Sequence, residues 1–161
     1  MSFIGILKWI AGIGQQVPAL KWSAEPPSSV AQHSKNIVLE GDGSFSFDIV
    51  GESHCQAALD HIAGPKHEGG VEHECVAVLL PDDRNQYDEN AVAVFIDGEK
   101  VGHLARRDAK AYRQFLANIG RPTAGAGCRA MIVGGWDDGD GDEGSYGVKL
   151  DVLLPFSQLV G

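Results

Sequence analysis

The spacing of apolar and polar positions divides the chain into three stretches. Phe3, Ile6, Leu7, Ile10, Ile13 and Val17 recur at i, i+3, i+4, i+7 intervals, which predicts one amphipathic helix within residues 1–22. Residues 23–43 lose all periodicity. They hold SAEPPSSVAQHSKN and close on Gly41-Asp42-Gly43, a composition that predicts a mobile linker. From residue 44 the period becomes two: Phe45, Phe47 and Ile49 share one face of a strand. Cys55, Ala58, Leu59 and Ile62 then return to helical spacing, and Gly64-Pro65 ends that short helix. HECVAVLLP reads as a second strand, stopped at Pro81.

AVAVFI and EKVGHL flank Asp97-Gly98, the strongest local signal in the chain. Two β-rich runs around an Asp-Gly pair predict a hairpin on a type I′ turn, where glycine takes positive φ without steric cost. Tyr112, Phe115, Leu116 and Ile119 put an apolar stripe on RRDAKAYRQFLANIG, a second helix closed by Gly120 and Pro122. GCRAMIVGGW and SYGVKLDVLLPF read as two last strands joined by the acidic loop DDGDGDEG. The connections are too short for repeated parallel crossovers. The expected architecture is mainly β with short helices: a small OB-like or SH3-like barrel of about six strands plus two helices, spanning residues 44–156.

Composition changes this picture in three places. The chain has 161 residues and a formal charge of −9, which argues against wholesale coating of nucleic acid. Three cysteines, Cys55, Cys75 and Cys128, form an odd set without a CxxC pair, so free thiols in a reducing, cytoplasmic compartment are expected. The segment MSFIGILKWIAGIG is short and broken by Lys8, a poor membrane span and an incomplete signal peptide. It either packs as an amphipathic helix or anchors to a partner or membrane surface. No stable membrane insertion is expected.

Candidate chemistry is sparse. Asp138, Asp140 and Asp142 are spaced like the start of a calcium loop. Glu143 stands where glycine is required, however, and Lys149 stands where the bidentate glutamate belongs. His61, His67 and His73 match no common zinc spacing and read as surface residues. There is no GxSxG, phosphate loop or HExxH. Ser53-His54-Cys55 places a thiol beside an imidazole, but helical neighbours point apart. A binding protein is expected, not an enzyme, with no cofactor and no metal.

Charge is localised. Residues 100–121 hold Lys100, Arg106, Arg107, Lys110, Arg113 and Arg121 against Asp108 alone. Arg106, Lys110 and Arg113 share a helix stripe, with His103 just upstream. The stripe is either a solvated helix face or a phosphate- or carboxylate-binding surface. RNQYDEN supplies Asn85, Tyr87, Asp88 and Asn90. They are either backbone caps in a turn, or a ring that stacks on a base beside a carboxylate that accepts a hydroxyl.

FDIVGESHCQAAL, RNQYDENAVAVFIDG and EKVGHLARRDA together resemble the HIRAN family over roughly residues 45–118, in a form similar to its stand-alone bacterial and phage members. The resemblance implies an OB-like barrel that captures the 3′ end of single-stranded DNA. Tyr87 and Asp88 would take the terminal nucleotide and its hydroxyl, His103 and Arg106 the phosphates, and Asn85 would shape the loop. The family's aromatics after the first glycine are replaced by His54 and Cys55, and its loop proline by Gln86. An aromatic platform contributes about 1–3 kcal/mol per base, so DNA binding is expected to be weakened. These residues carry no helicase motor, so ATP-driven work implies a DNA-processing protein partner. The alternative is a protein-interaction or regulatory module on the same barrel.

Overall fold

The computed structural model describes residues 37–159. They form β1 (Phe47–Asp48), α1 (Gln56–Ala63), β2 (Val71–Pro81), β3 (Val92–Ile96), β4 (Glu99–His103), α2 (Arg106–Asn118), β5 (Ala126–Gly134) and β6 (Tyr146–Asp151). The sheet order is β1-β6-β5-β2-β3-β4, with every neighbour antiparallel. The sheet curls into a half-barrel, as the short, turn-rich strands predict. The helical segment expected within residues 1–22 and the linker up to residue 36 lie outside the described residues.

The Asp-Gly hairpin forms as its turn chemistry requires: Asp97 and Gly98 take φ of 49° and 80°. Its second strand closes the sheet. Val50, just after β1, and His103, at the end of β4, exchange both backbone hydrogen bonds at 2.8 Å. The outer strands of the sheet therefore meet at one bridge. Gly102 permits the approach: a Cβ there would stand 2.6 Å from the Val50 carbonyl oxygen and 2.8 Å from Ile49 Cδ1.

Inside the curl, Leu79, Val92, Val94, Ile96, Val101, Ile132, Val148 and Leu150 are at most 1% exposed. Full burial of each such side chain contributes roughly 1.5–3 kcal/mol. α2 adds Tyr112 and Leu116, both fully buried, with Phe115 and Ile119 packed against the core. The stripe read from the sequence is thus the packed face. Tyr112 donates its hydroxyl to the Leu79 carbonyl at 3.0 Å, which satisfies a polar group otherwise stranded in the core. That burial pushes the phenol well above its ordinary pKa. α1 is tied down by Gln56, whose side chain donates to the Tyr146 carbonyl at 2.9 Å and accepts from its amide at 2.8 Å.

Three local differences from the sequence pattern have physical causes. Residues 37–43, which composition placed in the linker, include core members: Ile37 and Leu39 are buried, and both bond across to Gly127 of β5. Their apolar side chains fit the core, so the barrel includes residues from Ile37 on, ahead of the expected boundary at residue 44. β1 is cut to two residues because Phe45 adopts φ of 49°, which breaks the extended run. Gly51, at φ 86°, starts a single 3-10 turn over Glu52–His54, and Cys55 precedes α1 without joining it.

All three cysteines are free. Cys128 is fully buried, and desolvation with the nearby Asp97 charge raises Cys75 to about 12. Among the described residues no helix is long and apolar enough to cross a membrane. Nor do three or more His, Cys, Asp or Glu side chains gather there to hold a metal.

Candidate nucleic-acid interface

The Val50–His103 bridge fixes where polar chemistry can gather. His103 Nε2 is buried and faces Asp82 Oδ2 at 3.5 Å, too long to satisfy it as a hydrogen bond. Nδ1 lies on the Gly51 side, where a Cβ would come within 4.0 Å. Val50 beside it leaves an apolar side chain 46% exposed.

Asp82 opens the connection from β2 to β3, and that loop is closed at its feet by the Asp82 amide donating to the Ala91 carbonyl at 2.8 Å. Inside it, Asn85 Oδ1 accepts from the amides of Tyr87 (2.9 Å) and Asp88 (3.1 Å), while Asn85 Nδ2 reaches Asp82 Oδ2 at 3.4 Å. Asp88 Oδ1 accepts from the Asn90 amide at 2.9 Å. These are the backbone caps that such a turn needs. They leave the Tyr87 ring displayed at 86% exposure. Among the described residues the other Asp88 oxygen has no hydrogen-bond partner.

α2 approaches the same loop from its amino-terminal end. Ala105 precedes the helix without a capping side chain, so the first-turn amides remain available to solvent or an anion. Arg106 Nη2 donates to the Tyr87 carbonyl at 3.3 Å. Arg106, Arg107 and Lys110 are exposed. Arg113 is not free in this way. Its side chain is only 17% exposed, and it bonds to Asp83 Oδ1 and to the carbonyls of Asn90 and Ala91. The stripe of Arg106, Lys110 and Arg113 thus divides into two outward charges and one inward brace.

Of the residues singled out from the sequence, Asn85, Tyr87 and Asp88 share one loop, Arg106 joins it directly, and His103 joins through Asp82. His54 and Cys55 occupy the turn after Gly51. Among the described residues no hydrogen bond or ion pair links their side chains to the Tyr87 loop. His54 is exposed. The Cys55 thiol is raised by desolvation, with Lys100 of β4 pulling the other way. Sequence reasoning missed Asp82, Asp83, Val50 and the bracing role of Arg113. The Asp82-Asp83 pair directly after Pro81 was the available signal for the first two.

No family model and no curated protein matches the chain. Among solved structures, the crystal structure of the HIRAN domain of human HLTF is returned at 20% identity, covering 52% of this chain and 77% of that one, with a TM-score of 0.25. Superposition that loose supports neither fold nor function. The fold rests on the geometry above.

Proposed function

We propose that this barrel is a binding module for single-stranded DNA with a preference for a free 3′-hydroxyl end, and that it does no catalysis of its own. The observation that carries this reading is the exposed Tyr87 ring held on a braced loop between cationic Arg106 and the His103–Asp82 pair. An exposed ring on a rigid support suits base stacking. Arg106, Arg107, Lys110 and the uncapped helix amides suit a phosphate. The free Asp88 oxygen repels phosphate and suits a hydroxyl donor. A cytoplasmic DNA-processing protein is the partner such a module would serve.

Fluorescence anisotropy with 3′-hydroxyl and 3′-phosphate oligonucleotides over a salt series tests the proposal. The expected result is salt-dependent binding, in the range of about 1 µM or weaker given the single aromatic, favouring the hydroxyl end. Asp88→Ala and His103→Ala should lose that preference. Equal affinity for both ends would remove the end-capture claim. Exposed Leu153 and Leu154, at 37% and 51%, favour a second reading as a protein-interaction module. The absence of any oligonucleotide binding at low salt would select it.

A further inference from the structure

We infer that Arg113 is a positioning residue for the Tyr87 site, acting through the loop and not through contact with nucleic acid. The inference rests on the single-strand reading of that site. Three guanidinium nitrogens are committed to the loop: Nη1 to Asp83 Oδ1 at 2.8 Å, Nη2 to the Ala91 carbonyl at 3.0 Å and Nε to the Asn90 carbonyl at 3.4 Å. The Ala91 carbonyl also accepts from the Asp82 amide, so Arg113 grips the point where the two feet of the loop meet. Its base is firm, because the adjacent Tyr112 is fully buried and bonded to Leu79. Arg106, two turns earlier on α2, holds the tip through the Tyr87 carbonyl, but from an exposed position and at 3.3 Å. Among the described residues, Arg113 is the one side chain that bonds to both feet.

A planar guanidinium can serve three acceptors arranged along its edge, whereas a lysine ammonium is a point charge on a flexible stem. Charge alone is therefore not the requirement. When the loop is ordered for only a fraction of the time, apparent affinity falls by that fraction. A phosphate contact behaves differently: its loss flattens the dependence of log K on log salt by about 0.7 per contact on a single strand.

The test compares Arg113→Ala, Arg113→Lys, Arg107→Ala and the wild-type chain, using a 3′-hydroxyl oligonucleotide over a salt series together with amide hydrogen exchange of the free proteins. Arg113→Ala should weaken binding about ten-fold with an unchanged salt slope. Arg113→Lys should not restore affinity. The amides of Tyr87, Asp88 and Ala91 should exchange faster in both variants. Arg107→Ala should show the opposite signature, a flatter slope with normal loop exchange. A flattened slope in Arg113→Ala with normal exchange, or full rescue by lysine, would overturn the inference.

Should Arg113→Ala fail to fold, Asp83→Ala removes one of the three bonds at an exposed acceptor. It should speed loop exchange and lower affinity two- to three-fold, by the same loss of ordered loop, roughly. A rise in affinity on losing that negative charge would count against the brace. If the wild-type chain binds no oligonucleotide, the end-binding reading fails separately. Loop exchange then decides alone, and unchanged exchange in Arg113→Ala overturns the brace.

Discussion

Two polar, aspartate-bearing loops sit at opposite ends of β2, and they are held in different ways, one mainly by side chains of a helix and the other mainly by neighbouring backbone. The β2–β3 loop, residues 82–91, is fastened from outside by Arg106 and Arg113 of α2 and from inside by Asn85. The β5–β6 loop carries Asp137, Asp138, Asp140, Asp142 and Glu143. Two of its carboxylates accept from amides two residues ahead: Asp137 from Gly139 and Asp138 from Asp140. Its long-range ties are to the segment before β2: the His67 amide donates to the Gly135 carbonyl at 3.3 Å, the His67 carbonyl accepts from the Asp137 amide at 3.1 Å, and Lys66 pairs with Glu143 at 3.1 Å. Composition makes the acidic loop the more conspicuous of the two. Bracing by the side chains of another element marks the other as the loop whose backbone is held in place, and a held backbone is what a displayed recognition residue needs.

The separation of the loops also keeps the charge of the acidic loop away from the exposed Arg106, Arg107 and Lys110. Val71 of β2 pairs with Gly134 at the end of β5, so the acidic loop lies at the start of β2 and the Tyr87 loop at its end. Eleven residues of strand span about 33 Å at roughly 3.3 Å per residue. That is about three Debye lengths at 0.1 M salt, so the acidic loop exerts little repulsion at the Tyr87 site.

The strongest way to break the comparison is at the seam beneath the braced loop. Gly102→Val should cost about 3 kcal/mol or more, because its side chain would enter the Val50 carbonyl and Ile49. Gly139→Ala in the acidic loop has open space around it and strains only its φ of 82°, at about 1 kcal/mol. Urea unfolding of both variants checks the ranking. Equal losses would mean that the Val50–His103 bridge does not hold the barrel closed.

Next in size is the displayed ring. Tyr87→Ala should lower oligonucleotide affinity by about 1–3 kcal/mol, the range for one stacked base, while leaving stability nearly unchanged because the ring is 86% exposed. Anisotropy and thermal melting on the same sample separate the two effects. Weaker binding accompanied by a large drop in melting temperature would show the ring to be structural.

Much of this was legible in the sequence, for identifiable reasons. The Asp97-Gly98 turn, the Tyr112–Leu116 stripe and the six-strand barrel follow from local periodicity and turn chemistry. The cluster of Asn85, Tyr87 and Asp88 was legible because one short loop contains it. What periodicity cannot display is a bond between distant elements. Arg113 on α2 reads as one more surface charge until its partners, 22–30 residues earlier, are known. Asp82 reads as a turn residue until His103 faces it. Ile37 and Leu39 were hidden because the proline- and serine-rich stretch before them outweighs a few apolar residues. Yet those few reach Gly127 and become core.

A smaller effect sharpens the same contrast from within each loop. Asn85→Ala removes the acceptor for two backbone amides and should cost about 1–2 kcal/mol, comparable to losing a helix cap. Differential scanning calorimetry would register the loss. Asparagine replaced by aspartate keeps the acceptor but sets a carboxylate against Asp82 Oδ2, so it should recover only part of the loss.

The smallest expected effect belongs to the acidic loop and is the most exacting check. Asp138→Ala removes one bond of 3.4 Å between exposed groups, so stability should change by no more than about 0.5 kcal/mol. Millimolar calcium should leave the melting temperature of the wild-type chain where it was. A bound cation would stabilise the fold by mass action, by about 2.7 kcal/mol at a hundred times its dissociation constant. The sequence gives a reason to expect none, since Lys149 stands at the glutamate position of a calcium loop and bonds instead to Asp48 of β1 at 2.7 Å. A melting temperature that rises with calcium in the wild type but not in Asp138→Ala would make the acidic loop a site in its own right. The difference between the two loops would then lie in what orders them, protein side chains in one and a cation in the other.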